Sequence, residues 1–353
     1  MTAAVAPTLT KSLLSDATVV RMRPRYEGVN ICTWIGFKHV NYLVEEAVLI
    51  HLKESGLSAR QLYEEHGLGV DFVRLDTRIL HALHLDDEAE ATVEPVRGKR
   101  GKRGKREKGE NGEKGEEQAL TFKVTLRVDR DGATVKAVTS TVRLALRVDT
   151  YLPAAAEVPA DLRPFAVERL GADLPPVADP APESAAAATA ALAAGGDEEA
   201  VLAALTRGRN AHAWKWTVSY PYCHFTERLQ LSGYLRLMEE AKDRFVAARG
   251  ISIKTLLDER RWIPVVPRSQ VRVVDEALME EDLYTVYTVE EVFKDLTYTS
   301  RMDNYVIRNG SFHLVQTGTI THGYAEIADR RDWRLVPFDQ KVLDALDGKP
   351  VDA

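Results

Sequence analysis

Three kinds of group in this sequence are suited to moving protons or holding a developing negative charge. His224 follows an alternating segment, Trp216 to Tyr222, and precedes a helical pattern. An imidazole with a pKa near 6.5 can take a proton from water or from a substrate carbon near neutral pH. Glu239 and Glu240 lie in that helical pattern, and Glu45 and Glu46 lie in an earlier one. At about 100° per residue, Glu239 flanks the face made by Tyr234, Met238 and Ala241 while Glu240 points away, and the same logic places Glu45. The third group is the helix start at Ser232 and Gly233, whose free N–H groups and dipole can hold an oxyanion. Tyr220, Tyr222 and Tyr234 could add hydroxyl donors, and His39 and Asn41 stand at the corresponding start of the earlier helix.

Other pairings carry less. Cys223 and His224 are neighbours on an extended segment and would face opposite sides, against a thiol–imidazole pair. His81 and His84 would divide between two strand faces, so no metal site is expected from them with Asp86 and Asp87. There is no phosphate-binding Gly-rich loop, no dinucleotide turn and no Gly-x-Ser-x-Gly elbow.

The elements that must position these groups occur twice. Glu45-Glu46-Ala47 recurs as Glu239-Glu240-Ala241, a shift of 194. The same shift carries Tyr26 onto Tyr220, Gly56 onto Gly250, Ser58 onto Ser252, Leu62 onto Leu256, Glu65 onto Glu259 and Arg78 onto Arg272 without a gap. In the second copy Trp216 to Tyr222 alternates as a strand. Tyr234, Met238, Ala241, Phe245 and Ala248 then mark a helix between a Ser232 cap and Gly250. Four extended segments follow, roughly Ile263–Val274, Leu283–Phe293, Thr297–Ile307 and Phe312–Ile327, with Asn309-Gly310 as a hairpin turn. Strand, long helix and meander predict an α+β fold in which an antiparallel sheet covers a central helix.

Composition sets the boundaries. Residues 1–19 read as a flexible arm, 20–152 as a first domain, 153–208 as an Ala/Pro-rich linker, 209–330 as a second domain and 331–353 as a tail. A short helix is expected near Glu198 to Leu205, and the rest of the linker is expected to lack the apolar surface to order itself. The run Arg97–Glu117 interrupts the first copy, and beyond it Asp131-Gly132 matches Asn309-Gly310 at a shift of 178. That run is basic but interleaved with Gly and Glu and has no aromatic residue to stack a base. With a formal charge of -6 over 353 residues, nucleic acid is not an expected partner. Two cysteines and no apolar run of about 18 residues predict neither a disulfide framework nor a membrane span, and a cytoplasmic location.

Tyr220-Pro221, Tyr234-Leu235 and Glu239-Glu240-Ala241, with Tyr26 and Glu45-Glu46-Ala47 as weaker counterparts, resemble the hotdog-fold thioesterases, in particular their 4-hydroxybenzoyl-CoA thioesterase-like branch. The resemblance spans about two-thirds of the chain. It implies a double hotdog: two long helices, near Lys38–Ser55 and Ser232–Arg249, each wrapped by an antiparallel sheet and packed as a pseudo-dimer. It also implies an acyl-thioester substrate on coenzyme A or an acyl carrier protein, no cofactor, and sites where the copies meet; a homo-oligomer of the fused pair is compatible with it.

Family members place a catalytic Asp four residues after the motif's first aromatic residue. Here that place holds His224 in the second copy and Asn30 in the first. Asn can orient a carbonyl or a water but cannot act as a base. The expectation is therefore thioester hydrolysis at one dominant site with His224 as general base, a helix carboxylate from Glu239 or Glu45, and substrate contacts from Tyr220, Tyr222, Ser232, Gly233, Tyr234, His39 and Asn41. Two rivals stay open: a lyase that dehydrates, or adds water or an amine to, an enoyl thioester, and a noncatalytic acyl-thioester sensor.

Overall fold

The computed structural model describes residues 13–30, 32–96, 120–172 and 177–348. The charged run Arg97–Glu117 lies outside the described residues, as do the first twelve and last five. The first half comprises β1 (Thr18–Met22), α1 (Phe37–Glu54), α2 (Ala59–His66), β2 (Leu68–Ile79), β3 (Ala89–Pro95), β4 (Leu120–Arg130) and β5 (Ala133–Val148). After β6 (Ala166–Val167) and two connecting helices, α3 (Pro182–Ala193) and α4 (Glu198–Thr206), the order repeats. The second half comprises β7 (Ala211–Thr217), β8 (Cys223–His224), β9 (Arg228–Leu229), α5 (Leu231–Ala248), α6 (Ile253–Arg260), β10 (Trp262–Val273), β11 (Asp282–Phe293), β12 (Thr297–Arg308) and β13 (Ser311–Ile327). The chain closes with β14 (Trp333–Val336) and α7 (Gln340–Leu346).

The main strands form one sheet in the order β1-β3-β4-β5-β2-β10-β13-β12-β11-β7, so each half contributes five neighbours and the halves join where β2 meets β10. At that seam Arg74 pairs with Arg272, Asp76 with Gln270 and Arg78 with Arg268. Asp76 and Gln270 differ by 194, so a pseudo-two-fold axis passes between them. Tyr42 and Arg236 also differ by 194 and touch, Arg236 Nε donating to Tyr42 Oη at 3.3 Å where α1 meets α5. Small details follow the same axis: the Val29–Ile35 bridge matches the Cys223–Leu229 pairing, and the Trp34–His84 bridge matches Arg228–Leu278.

Each half curves over one 18-residue helix, α1 packing on β1 to β4 and α5 on β7 and β11. Along α1 Val40, Val44, Ala47, Val48 and Leu52 are buried, and along α5 Tyr234, Met238, Ala241 and Phe245. Recurrence every three or four residues gives both helices an apolar stripe, and each large side chain so buried contributes about 1.5–3 kcal/mol.

Four expectations need correction. The first strand of the second half is Ala211–Thr217, and Tyr220–Tyr222 is instead a 3₁₀ turn carrying Pro221, which has no N–H to give a ladder. α5 starts at Leu231 behind Gln230, and Ser232 lies inside its first turn. The described second part of the connector packs on the sheet: α3 and α4 lay Ala185, Ala188, Val201, Ala204 and Leu205 on Tyr284, Tyr305 and Phe312. Small alanine faces allow that close approach. Past residue 330, β14 pairs with β13, and Val342, Ala345 and Leu346 of α7 are buried.

Candidate active site

A cavity of about 710 Å³ opens where the two halves meet, and it is asymmetric. The first half supplies Gly28, Asn30, Gly36, Lys38 and His39 from the chain leading into α1. The second half supplies Glu239, Lys242 and Asp243 of α5, the β10 stretch 263–267, and His322 of β13. Sequence local to each half shapes both walls. Gly36 N donates to Gly28 O at 3.0 Å and Asn30 N to Trp34 O at 2.7 Å, bonds that bring these residues together just ahead of α1. Opposite, the β10–β13 ladder shifts register between Val265 and Arg268. Pro264 and Pro267 flank that interruption, and a strand position without an N–H is where a bulge is tolerated.

Gly36 is the N-cap of α1, with φ −62° and no side-chain cap. A Cβ placed there would stand 3.6 Å from Asn30 Nδ2 and 3.7 Å from Glu239 Oε1. The point above Gly36 is therefore flanked by an amide from one half, a carboxylate from the other, and the first N–H groups of α1, which have no acceptor within the helix. Lys38 Nζ lies 2.6 Å from Glu239 Oε2, tying the start of α1 to the third turn of α5. Burial pushes the Glu239 carboxyl up, and the Lys38 charge and hydrogen bond oppose that rise. His39 is buried, rests edge-on against Tyr42, and is held below the usual imidazole range by burial and the Lys38 charge, with Glu27 opposing.

The pseudo-equivalent place in the second half is built differently. Gln230 stands where Gly36 does, Ser232 where Lys38 does, and Gly233 where His39 does. The exchange of bulk is reciprocal. A Cβ on Gly28 would come within 2.9 Å of His39 Cβ, and one on Gly233 within 3.5 Å of Tyr222 Cβ. Glu45 here faces no lysine, and burial with the neighbouring Glu46 charge pushes it up to about 8.

His224 occupies the backbone place equivalent to Asn30, and its Nε2 lies 2.7 Å from Asp71 Oδ1 across the seam. Arg228 Nη2 donates to the other Asp71 oxygen at 3.1 Å. Burial pushes the Asp71 carboxyl up, but the hydrogen bond and charge of His224 and the charge of Arg228 outweigh it and hold the group below the usual carboxylate range. Thus Asn30, His39 and Glu239 come together around one cavity, while His224 belongs to an ion network in the other half-site.

Most of the other candidate residues lie outside the cavity. Tyr220 is exposed, and Tyr222 packs edge-on against Trp216. Ser232 offers its carbonyl to Tyr42 Oη at 3.3 Å. Tyr234 is fully buried, and burial drives its hydroxyl far above the usual range. Asn41 is buried in a polar knot, donating to Phe37 O at 3.0 Å and accepting from Thr77 Oγ1 at 2.7 Å. Cys223 is a free thiol within reach of Ser219 O. His81 and His84 lie in the turn beyond β2, not on a strand, and both line the cavity. Among the described residues no helix is long and apolar enough to cross a membrane.

Residues that sequence reasoning passed over are Gly36, Lys38, Asp71, Lys242 and His322. Lys242 had a readable signal: it stands four residues after Met238 and three before Phe245, a charge on the helix face that packs inward.

No protein-family model matches the chain, and no curated protein matches it by sequence. Its fold is found in solved structures. A protein described as an oleoyl thioesterase from Lactobacillus plantarum superposes with a TM-score of 0.53 at 12% identity, covering 92% of this chain and 98% of its own. A 12:0-ACP thioesterase from Umbellularia californica superposes with a TM-score of 0.51 at 10% identity, covering 91% and 98%. The chain therefore shares the fold of the hotdog thioesterases over nearly its whole length.

Proposed function

We propose that the protein hydrolyses an acyl thioester of coenzyme A or an acyl carrier protein in the cavity between its halves. The observation that carries this reading is the placing of Asn30 Nδ2 and Glu239 Oε1 at 3.6 and 3.7 Å from the point above Gly36, at the start of α1. A thioester carbonyl set at that point would direct its oxygen to the α1 N–H groups, where a helix start favours negative charge. Glu239, made more basic by burial, takes a proton from water as the oxygen of that water adds to the carbonyl carbon. The tetrahedral oxyanion collapses, the C–S bond breaks, and the thiolate takes the proton back from Glu239. Water and thioester thus become acid and thiol. Asn30 orients the carbonyl or the water, and Lys38 holds the carboxylate in place. The two solved structures above, described as thioesterases, support this class of reaction.

One observation favours a second reading. A buried Asp71 holds His224 by one ring nitrogen, as a base is held by its orienting group, so His224 is the alternative general base at the other half-site. Thiol release from short and long acyl-CoA substrates, measured on wild type, Glu239→Gln and His224→Ala, tests both. Loss on the order of 100-fold in Glu239→Gln supports the seam cavity. That loss in His224→Ala, with Glu239→Gln active, moves the chemistry to the second half-site. Mass change of an enoyl thioester without thiol release would indicate a lyase, and retention without change a sensor.

A further inference from the structure

Beyond Glu239 the cavity wall carries a buried ammonium with no hydrogen-bond acceptor among the described residues. Lys242 is 3% exposed, lines the cavity, and its Nζ makes no hydrogen bond among the described residues. The ring of Tyr324 lies 5.6 Å from Nζ. Beside it on β13, His322 is also 3% exposed and lines the cavity, and neither of its ring nitrogens has a hydrogen-bond partner among the described residues. The imidazole is stacked on Tyr298, ring centroids 4.9 Å apart, which fixes its plane.

A buried ammonium that makes no hydrogen bond is unfavourable, and a methionine or leucine would fill this helix position without that cost. Glu239 is paired with Lys38, and although the charges of Asp243 and Glu239, both at the cavity wall, act on Lys242, neither carboxylate accepts a hydrogen bond from it. An alkyl acyl chain would leave Lys242 and His322 unsatisfied. A carboxylate would satisfy both, taking a charge-assisted bond from the ammonium and an N–H from the imidazole.

We propose that this cavity selects acyl groups that end in a carboxylate, bound by Lys242 and His322. The proposal rests on the acyl-thioester reading above and names its substrate class. Lys242 follows Glu239 by three residues, about 4.5 Å along the helix axis, so the carboxylate belongs a few carbons from the thioester carbonyl. Glutaryl and adipyl groups have that reach.

The test is calorimetric binding of thioether analogues of glutaryl-CoA and valeryl-CoA, which cannot be hydrolysed, to wild type, Lys242→Met and His322→Gln. Wild type should bind the glutaryl analogue about 10- to 100-fold more tightly, as a charge-assisted bond in a buried site implies. Lys242→Met should invert that preference and His322→Gln should reduce it. A wild-type preference for the valeryl analogue, binding of neither, or an unmoved ratio in folded Lys242→Met overturns the proposal. If Lys242→Met does not fold, the wild-type ratio and His322→Gln decide. Thiol release from glutaryl-CoA, followed in parallel, reports on hydrolysis alone. Tight carboxylate-dependent binding without thiol release would sink the hydrolase reading and leave this one standing.

Discussion

Lys38 and Glu239 join the two halves through a 2.6 Å ion pair, and their pseudo-symmetric counterparts, Ser232 and Glu45, do not form one. The same carboxylate position on the two long helices therefore sits in two electrostatic settings. One has a cation within hydrogen-bond reach and a cavity in front of it. The other has Gln230 and Ser232 at the facing helix start where the first has Gly36 and Lys38.

That pairing predicts a pH effect. Lys38 holds Glu239 below the value that burial alone would give it, so Lys38→Met should raise the Glu239 pKa. A general base works only when ionised, and the acid limb of kcat/KM for thioester hydrolysis should move to higher pH. An acid limb that stays in place while activity falls would assign Lys38 to substrate binding alone.

Gly36 offers a steric test. A methyl group at residue 36 meets only ordinary contacts at 3.6 Å and beyond, and φ of −62° suits alanine. Gly36→Ala should therefore melt close to wild type. Its methyl would occupy the proposed carbonyl position, and turnover should fall on the order of 100-fold, as a small misplacement of reactants can cause. A fully active Gly36→Ala would move the reacting carbon elsewhere in the cavity.

The repeat is legible because it runs without a gap from Tyr26 to Arg78: the shift that links Glu45 to Glu239 also brings Asp76 opposite Gln270 at the strand seam. Strands β10 to β13 could likewise be read to within a residue or so. The side of the pseudo-dimer holding the large cavity could not be read in this way. Asn30 and His224 occupy equivalent backbone places, and the difference lies in Gly36 against Gln230 and in the prolines flanking the β10 bulge. Lys38 was missed because its partner is 201 residues away and its counterpart is a serine. The connector was misjudged because alanine-rich composition says little until Tyr284 and Phe312 offer a surface to cover.

Glu45 gives a stability prediction with a defined sign. Its carboxyl is raised from 4.5 to about 8, so the folded protein holds a proton that the unfolded chain releases near 4.5. Its contribution is fully present below 4.5 and is lost as pH rises through about 8. Glu45→Gln keeps a neutral, similarly shaped side chain at every pH. The variant should melt with wild type at pH 5 and above it at pH 9. Equal melting at both pH values would mean that Glu45 ionises freely in the folded protein.

Asp71 should behave in the opposite way. It is 3% exposed and receives His224 at 2.7 Å and Arg228 at 3.1 Å, contacts that hold its carboxyl below the usual range despite burial. A depressed acid adds stability above its unfolded pKa, and that stability disappears as pH falls through the lower folded value. Asp71→Asn would take the hydrogen-bonded carboxylate from the imidazole and from the buried Arg228, which keeps only Asp149 at 3.7 Å, a loss of about 3 kcal/mol near pH 7 for a broken buried pair. The gap between variant and wild type in urea unfolding should narrow as pH is lowered below about 4, where carboxylates begin to protonate. Because the network ties β2 of the first half to the β8–β9 turn of the second, hydrogen exchange in Asp71→Asn should quicken first around His224 to Leu229. A gap of the same size at pH 7 and pH 3 would show that Asp71 acts through packing and not through its charge.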